Sequence, residues 1–352
     1  MPLSDAVPGR TTGRSRRIFR PIEAIDEPLP SRPGSPFRPY LRLFLYAALV
    51  LLLMPLQAFA VAFGRRRLAE RIPLFFHRTC LPILGIRVER RGQMSTARPA
   101  LFVCNHSSYL DITVLGALIP GCFVAKTEVA GWPLFGLLAK LQRTVFVDRR
   151  RNSTHHQRDS IADRLEAGDN LILFPEGTSN DGNRTLPFRS ALLSVAEAGR
   201  TAAGAAPLTV QPVSIAYTLL NGMPLGHGLR PLVAWYGDMV LADHLWQFLR
   251  LGKLTVVVCF HPPVTIDQFG SRKALTDHCR DIVAEGVTTA LTGRRWPPDA
   301  PPDAPPDAPA DAPADAPPGA PSDPLSESPD QPLADPEAEE VPAPDQTGKP
   351  AG

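Results

Sequence analysis

A run of 21 residues without a charged side chain, Leu43–Phe63, constrains most strongly what this chain can fold into. As a helix rising about 1.5 Å per residue, the run would be roughly 31 Å long, which matches the hydrocarbon core of a bilayer. Pro55 interrupts the run, and arginines flank both of its ends, so the distribution of positive charge gives no clear orientation. The run predicts a membrane-associated element. A hairpin that enters and returns, an interfacial helix, a single span and a buried helix of a soluble protein all stay open as its form.

Proline and charge divide the rest of the 352-residue chain. Residues 297–352 hold 18 of the 40 prolines and a net charge of −12 and begin with PPDA and PADA repeats, whereas residues 1–296 carry +14. Proline-rich sequence with few hydrophobic residues cannot bury enough surface to offset the loss of chain entropy. The sequence therefore predicts four segments: a disordered basic arm (1–40), a membrane-associated helical segment (41–96), a catalytic domain (97–296) and a disordered acidic tail (297–352).

The positive charge of the first 296 residues indicates an anionic partner, either nucleic acid, anionic lipid or an acidic carrier. Nucleic acid is disfavoured, because the basic residues are not clustered with aromatic ones. The five cysteines include no CxxC pair, which argues against a disulfide framework and a structural zinc site. No metal ligands are predicted, and the cysteine usage fits a reducing compartment.

From about residue 99 onward, short apolar runs alternate with longer amphipathic ones. The predicted strands are 100–104, 122–125, 144–147, 170–174, 209–215, 232–235 and 254–260. The predicted helices are 108–118, 131–140, 154–167, 188–199, 242–250 and 271–292. This alternation predicts an α/β fold with a mixed, mostly parallel sheet flanked by helices.

The first candidate motif is Asn105–Asp111 (NHSSYLD), directly after a predicted strand. This position places His106 in a strand-to-helix loop and Asp111 about one turn into the following helix. The Asp111 carboxylate could then hold one ring nitrogen of His106 and leave the other as a general base for an alcohol. Alone, this spacing is weak evidence, because a loop histidine beside a chance aspartate has the same pattern.

Two further motifs also follow predicted strands. In Phe174–Ser179 (FPEGTS), Glu176 can accept hydrogen bonds from a polyol, and Gly177 lets backbone amides approach an anion. Val145–Arg151 (VFVDRRR) ends in three arginines, which can hold a phosphate with help from Lys126. A strand-end turn and a solvated basic loop are the respective structural alternatives.

Together with Val210–Val213 (VQPV), these motifs resemble, in order and spacing, the lysophospholipid acyltransferase family, in particular its bacterial 1-acyl-glycerol-3-phosphate acyltransferases. The resemblance extends over about residues 70–270. Its four blocks are specific as a set, although the last has no chemistry of its own.

The resemblance implies that His106 is the general base on the acceptor hydroxyl, that Asp111 orients it, and that Arg149 holds the acceptor phosphate. A fatty acyl group would pass directly from an acyl-CoA or acyl carrier protein thioester to a lysolipid, without metal, cofactor or acyl-enzyme. The reaction would take place at the cytoplasmic face of the cell inner membrane. The implied substrate-binding residues are Asn105, Lys126, Arg149, Glu176, Gly177, Thr178 and Arg184.

The acceptor expected from this resemblance is 1-acyl-sn-glycerol-3-phosphate, with phosphatidic acid as the product. One departure bears on it: Ser179 stands where many relatives have arginine, so the phosphate role moves to Arg184 or is lost. The stretches Trp235–Met239 and His244–Trp246 also resemble a branch that includes lyso-ornithine lipid acyltransferases. A lyso-ornithine lipid or dual-acceptor enzyme is therefore the alternative, and a hydrolase is a distant one.

Overall fold

The structure is a computed structural model and describes residues 34–147, 161, 163–194, 196 and 207–294. The predicted basic arm and acidic tail lie almost wholly outside these residues. The predicted helix 154–167 also falls largely outside them, although residues 163–166 at its end are helical.

Two helices precede the sheet: α1 (Arg38–Ala62) and α2 (Arg66–Leu84). Helix α1 continues through Pro55, and the chain turns between the two helices at residues 63–65. Most of α1 is exposed, including Leu51 and Leu52, and it is long and apolar enough to cross a membrane. The N-terminal apolar run is thus one continuous helix, consistent with membrane association.

Two polar side chains of α1, those of Arg42 and Gln57, form hydrogen bonds that connect this helix to other elements. The Gln57 amide donates to the backbone carbonyls of Ala69 and Leu141, at 3.1 and 2.6 Å. The Arg42 guanidinium donates to the carbonyls of Leu249 and Leu251, both at 3.0 Å. Since these last carbonyls lie at the end of a helix, a cation is favoured there.

In the described part of the chain, eight strands form one sheet in the order β1-β8-β6-β2-β5-β3-β4, with β7 paired to β6. All pairings are parallel except those of β6 with β7 and β8, so the sheet is mixed and mostly parallel, as predicted. The strands are β1 (Ile86–Arg91), β2 (Ala100–Cys104), β3 (Cys122–Lys126), β4 (Val145–Val147), β5 (Leu171–Leu173), β6 (Thr209–Leu220), β7 (Met223–Pro224) and β8 (Leu254–Phe260).

The remaining described α-helices flank this sheet, which confirms the α/β fold. They are α3 (Leu110–Leu118), α4 (Phe135–Leu141), α5 (Leu241–Arg250) and α6 (Arg272–Thr292). Short 3-10 helices occupy Thr127–Gly131, Ser190–Ser194, His227–Leu232 and Ile266–Gln268.

The core lies on both faces of the sheet, because side chains alternate along each strand. In β2, Phe102 joins one cluster with α3 and α5, whereas Leu101 and Val103 join another with α6. Every residue of β2 is buried, as expected for a central strand covered on both faces.

Two predicted elements, strand 232–235 and helix 188–199, differ from the structure, and one observed strand was not predicted. The predicted strand 232–235 is wrong: the chain there leaves the 3-10 helix His227–Leu232 and continues without regular structure. Strand β1 was not predicted, since it lies in the segment assigned to helix and has four charged residues among six. The predicted helix 188–199 contains the short 3-10 helix Ser190–Ser194, and most of its later residues lie outside the described part.

Candidate active site

The topology brings two of the predicted motifs together. Strands β2 and β5 are parallel neighbours, so their carboxyl ends meet at one edge of the sheet. The loop after β2 carries His106, and the loop after β5 carries Glu176. Crevices at the carboxyl ends of parallel strands are the usual place for ligands in open α/β sheets.

His106 and Asp111 are in direct contact. The His106 Nδ1 atom lies 2.9 Å from the Asp111 Oδ2 atom, and the Asp111 side chain is fully buried whereas that of His106 is 21% exposed. Since a carboxylate only accepts, Nδ1 carries the hydrogen and Nε2 is left as an acceptor. The His106 ring also stacks on Phe174, with centroids 4.2 Å apart, which fixes its plane.

Asp111 accepts hydrogen bonds on both carboxylate oxygens. Its Oδ2 atom also accepts from the backbone amides of Ser107 and Ser108, at 2.7 and 2.9 Å. Its Oδ1 atom accepts from the Tyr217 hydroxyl at 2.6 Å. These donors hold a buried carboxylate in one orientation, and a carboxylate so placed stabilises an imidazolium on His106.

Tyr217 is a site residue that the motifs did not reveal. It lies on β6, whose predicted end at residue 215 falls two residues short of it, and it points to the same face as Ile215. Burial and the Asp111 charge raise the pKa of Tyr217, so its hydroxyl keeps the hydrogen that it donates. The alternation of side chains along β6 could have indicated Tyr217, because it places this tyrosine on the buried face. A buried tyrosine hydroxyl needs a polar partner.

The variant Tyr217→Phe is expected to lower kcat several-fold and to reduce the unfolding free energy by about 1–3 kcal/mol, because Asp111 Oδ1 loses its donor. Steady-state kinetics and urea unfolding measure both effects. An unchanged kcat in the folded variant would show that the hydroxyl does not act on the His106–Asp111 pair.

Asn105 fixes the start of the loop that carries His106. Its Nδ2 atom donates to the Ile215 carbonyl and its Oδ1 atom accepts from the Ile215 amide, both at 2.9 Å. Through these contacts the Asn105 side chain continues the hydrogen bonding between β2 and β6 just beyond the end of β2. The described contacts of Asn105 therefore position the loop that carries His106.

Glu176 links the two loops from a buried position. Its Oε1 atom accepts from the His106 amide at 3.3 Å, and its Oε2 atom accepts from the Asn180 side chain at 2.6 Å. Burial raises the pKa of Glu176 to about 8, although hydrogen bonds from Asn180 and from the amides of His106 and Leu186 act against the shift. Both carboxyl oxygens thus have protein partners, and Asn180 is a further residue that the motifs did not indicate.

Glu176→Gln is expected to flatten the pH dependence of stability. The pKa of Glu176 is about 8 in the folded protein and 4.5 ordinarily, so between these values the unfolded chain releases a proton that the folded chain keeps. The wild-type unfolding free energy should therefore fall as pH rises from about 5 to 8, by up to roughly 1.4 kcal/mol per pH unit, and the variant should lack this contribution. Urea unfolding in one detergent across this range measures the difference. Equal slopes for both proteins would contradict a raised pKa.

The other predicted binding residues are placed differently. Gly177 has φ of +69°, its amide donates to the Phe174 carbonyl at 3.1 Å, and a Cβ there would lie 3.2 Å from the Arg189 side chain. Its amide is therefore used within the turn. Thr178 and Arg184 are exposed on the same loop, and Lys126 ends β3 in a half-buried position. Arg149 lies outside the described residues.

A third segment, residues 227–239, lies beside the loop that carries His106. The Trp235 amide donates to the Ser107 carbonyl at 2.9 Å, and the Trp235 ring meets the Tyr109 ring edge-on. The Tyr109 hydroxyl lies 3.1 Å from His244 Nδ1 on α5. The sequence wrongly predicted a strand here, so the position of this segment at the site was not foreseen.

A histidine held by a buried aspartate at a sheet edge, with no partner given for its Nε2 atom among the described residues, can act as a general base, and the comparisons identify the chain as an acyltransferase. The Acyltransferase family model matches residues 85–216, which contain the His106, Asp111 and Glu176 loops.

Curated relatives specify the family further. The chain is 45% identical over 261 residues to the lyso-ornithine lipid O-acyltransferase of Brucella abortus (strain 2308), covering 73% of this chain and 98% of the relative. It is 38% identical over 245 residues to the lyso-ornithine lipid O-acyltransferase of Rhizobium meliloti (strain 1021), covering 69% of this chain and 84% of the relative. It is 29% identical over 197 residues to the 1-acyl-sn-glycerol-3-phosphate acyltransferase of Neisseria gonorrhoeae, covering 54% of this chain and 72% of the relative. The chain therefore belongs to the lysophospholipid acyltransferase family.

Proposed function

We propose that this chain is a lyso-ornithine lipid O-acyltransferase, which moves a fatty acyl group from an acyl thioester to the free hydroxyl of a lyso-ornithine lipid. The observation that carries the choice of acceptor is the 45% identity to the Brucella abortus enzyme over 98% of that protein's length. The Neisseria gonorrhoeae enzyme, named for the phosphate acceptor, is less similar and is covered less completely. The relatives thus favour the alternative acceptor over the lysophosphatidate expected first.

In the proposed mechanism, Nε2 of His106 removes the proton from the acceptor hydroxyl as its oxygen attacks the thioester carbonyl carbon. The hydrogen bond from Nδ1 to Asp111 stabilises the resulting imidazolium. The tetrahedral intermediate then collapses, the carbon–sulfur bond breaks, and the imidazolium returns the proton to the departing thiolate. The products are the ester and a free thiol, and no acyl-enzyme forms.

Glu176 and Asn180 support this chemistry by joining the two loops, since Asn180 also donates its amide to the His106 carbonyl at 3.1 Å. These contacts surround His106 with fixed partners while its Nε2 stays an acceptor. For a lysophosphatidate acceptor, Arg149 and Lys126 would remain the predicted phosphate ligands.

The proposed location is the cytoplasmic face of the cell inner membrane. The exposed apolar surface of α1 fits a lipid environment and would keep the site close to a two-chain lipid product. The donor is proposed to be acyl-CoA or acyl carrier protein, since the net charge of +14 on residues 1–296 attracts either anionic thioester.

A membrane-fraction assay with labelled acyl donor, offered lyso-ornithine lipid and lysophosphatidate in separate reactions, tests the proposal. We expect label in ornithine lipid, at a rate well above that into phosphatidate. Label in phosphatidate alone would restore the first expectation. Label released as free fatty acid without either lipid product would favour the hydrolase.

A further inference from the structure

Arg230 is a partly buried cation that has no ion-pair partner among the described residues. It lies on the 3-10 helix His227–Leu232, and its Nη1 atom donates to the neutral Asn183 side chain. Within the described part of the chain, its buried Nε atom has no hydrogen-bond partner. Burial lowers the pKa of Arg230, and the charge of Asp181 only partly offsets this. A guanidinium in such surroundings favours an anion.

The loop that Arg230 contacts lies against the proposed catalytic loop, residues 105–109, which carries His106. At Gly182, where φ is +71°, a Cβ would lie 3.6 Å from Ser107 Cβ and 3.8 Å from Ala234 Cβ. Three segments therefore meet next to His106: the catalytic loop, residues 180–184 and residues 227–235. Arg230 belongs to the last of these and Asp181 to the second.

Asp181 supplies a negative charge on the same loop. Although burial acts to raise its pKa, hydrogen bonds from Asn183 and the charges of Arg184 and His227 hold the pKa of Asp181 below its ordinary value. Asp181 is half-buried, and the structure gives it no salt bridge among the described residues. An anionic and a cationic side chain thus lie beside the catalytic loop without being paired to each other.

We propose that Arg230 and Asp181 form the headgroup site of the acceptor, Arg230 binding its carboxylate and Asp181 its ammonium group. This inference rests on the proposed function. An ornithine unit linked through one nitrogen keeps one carboxylate and one ammonium, so it presents one charge to each side chain. A phosphate monoester carries about −1.5 to −2 charges at neutral pH, so Asp181 repels it. The pair therefore selects the amino-acid headgroup over the phosphate.

The test compares Arg230→Met and Asp181→Asn with the wild type, using both acceptors at fixed mole fractions in mixed detergent micelles. Asparagine keeps the oxygen that accepts the Asn183 amide, so the loop retains its turn. Arg87→Met and Asp277→Asn are the matched controls, because both residues are exposed and lie on β1 and α6, away from these loops.

Arg230→Met is expected to raise KM for lyso-ornithine lipid about tenfold or more while kcat changes less than about threefold. Asp181→Asn is expected to lower the ratio of kcat/KM for lyso-ornithine lipid to that for lysophosphatidate by about tenfold. Arg230→Lys should recover part of the loss in KM, since it restores the charge without the planar fork. The control variants should match the wild type in both quantities.

Two failures are distinguishable. A wild-type enzyme that does not acylate lyso-ornithine lipid overturns the proposed function and the headgroup site with it. An active wild type whose acceptor KM and acceptor ratio are unchanged in both variants overturns the headgroup site alone. A fall in kcat with unchanged KM in both variants would also contradict it, because the two residues would then act on the catalytic loop.

Discussion

A purified His106→Ala variant is expected to lose about 10³-fold or more of kcat for acyl transfer, with little change in the acceptor KM. The reason is that Nε2 of His106 is the base proposed for the acceptor hydroxyl, and alanine offers no replacement. The variant should still fold, because the His106 ring is partly exposed and Asp111 keeps three of its four hydrogen-bond donors.

The measurement is a steady-state assay with circular dichroism and thermal unfolding as controls for folding. His156→Ala, on a segment outside the described residues, removes a histidine not assigned to the site and is the matched control. A folded His106→Ala enzyme that retains a tenth or more of wild-type kcat would contradict the general-base assignment.

Asp111→Asn is the second substitution with a large expected effect, a loss of about 10²–10⁴-fold in kcat. Asp111 accepts from the Tyr217 hydroxyl, two backbone amides and the His106 ring, whereas a carboxamide has a single accepting oxygen. In one orientation the asparagine NH₂ would face the His106 ring and two amides and favour the wrong tautomer, and in the other it would face the Tyr217 hydroxyl. In both orientations a neutral amide no longer stabilises the imidazolium as the carboxylate does. We also expect a loss of about 1–3 kcal/mol in unfolding free energy.

A double variant separates the effect on catalysis from the effect on stability. If Asp111 acts through His106, the combined His106→Ala and Asp111→Asn variant should be no slower than His106→Ala alone. Assays at a temperature where both proteins are folded make the comparison valid. Losses that multiply in the double variant would mean that Asp111 contributes independently of His106.

The sequence predicted the parts of the site that depend on local spacing. His106 and Asp111 are five residues apart across a strand-to-helix loop, so the motif and the start of α3 determine their contact. The FPEGTS loop is likewise predicted to follow a strand, but its contact with the His106 loop follows from the pairing of β2 with β5. Most predicted strands overlap observed ones, since short apolar runs bounded by polar turns are a strong local signal.

Residues that reach the site through the topology were not predictable in this way. Tyr217 contacts Asp111 only because β6 lies beside β2, and Asn180 contacts Glu176 only because its loop folds back. The apolar residues 232–235 predict a strand, whereas the chain there leaves a 3-10 helix that contains Pro231. Pro55 is a possible break in the sequence, yet helix α1 continues through it.

The central claim is that this chain acylates the hydroxyl of lyso-ornithine lipid by using His106. The most direct test expresses the wild type and His106→Ala in a bacterial host that accumulates lyso-ornithine lipid, and then analyses the lipids by mass spectrometry. The account predicts that the wild type converts the lysolipid to a product heavier by one fatty acid minus one water, and that the variant leaves it unchanged. Lyso-ornithine lipid that persists with the wild type, or is converted equally by the variant, would contradict the account.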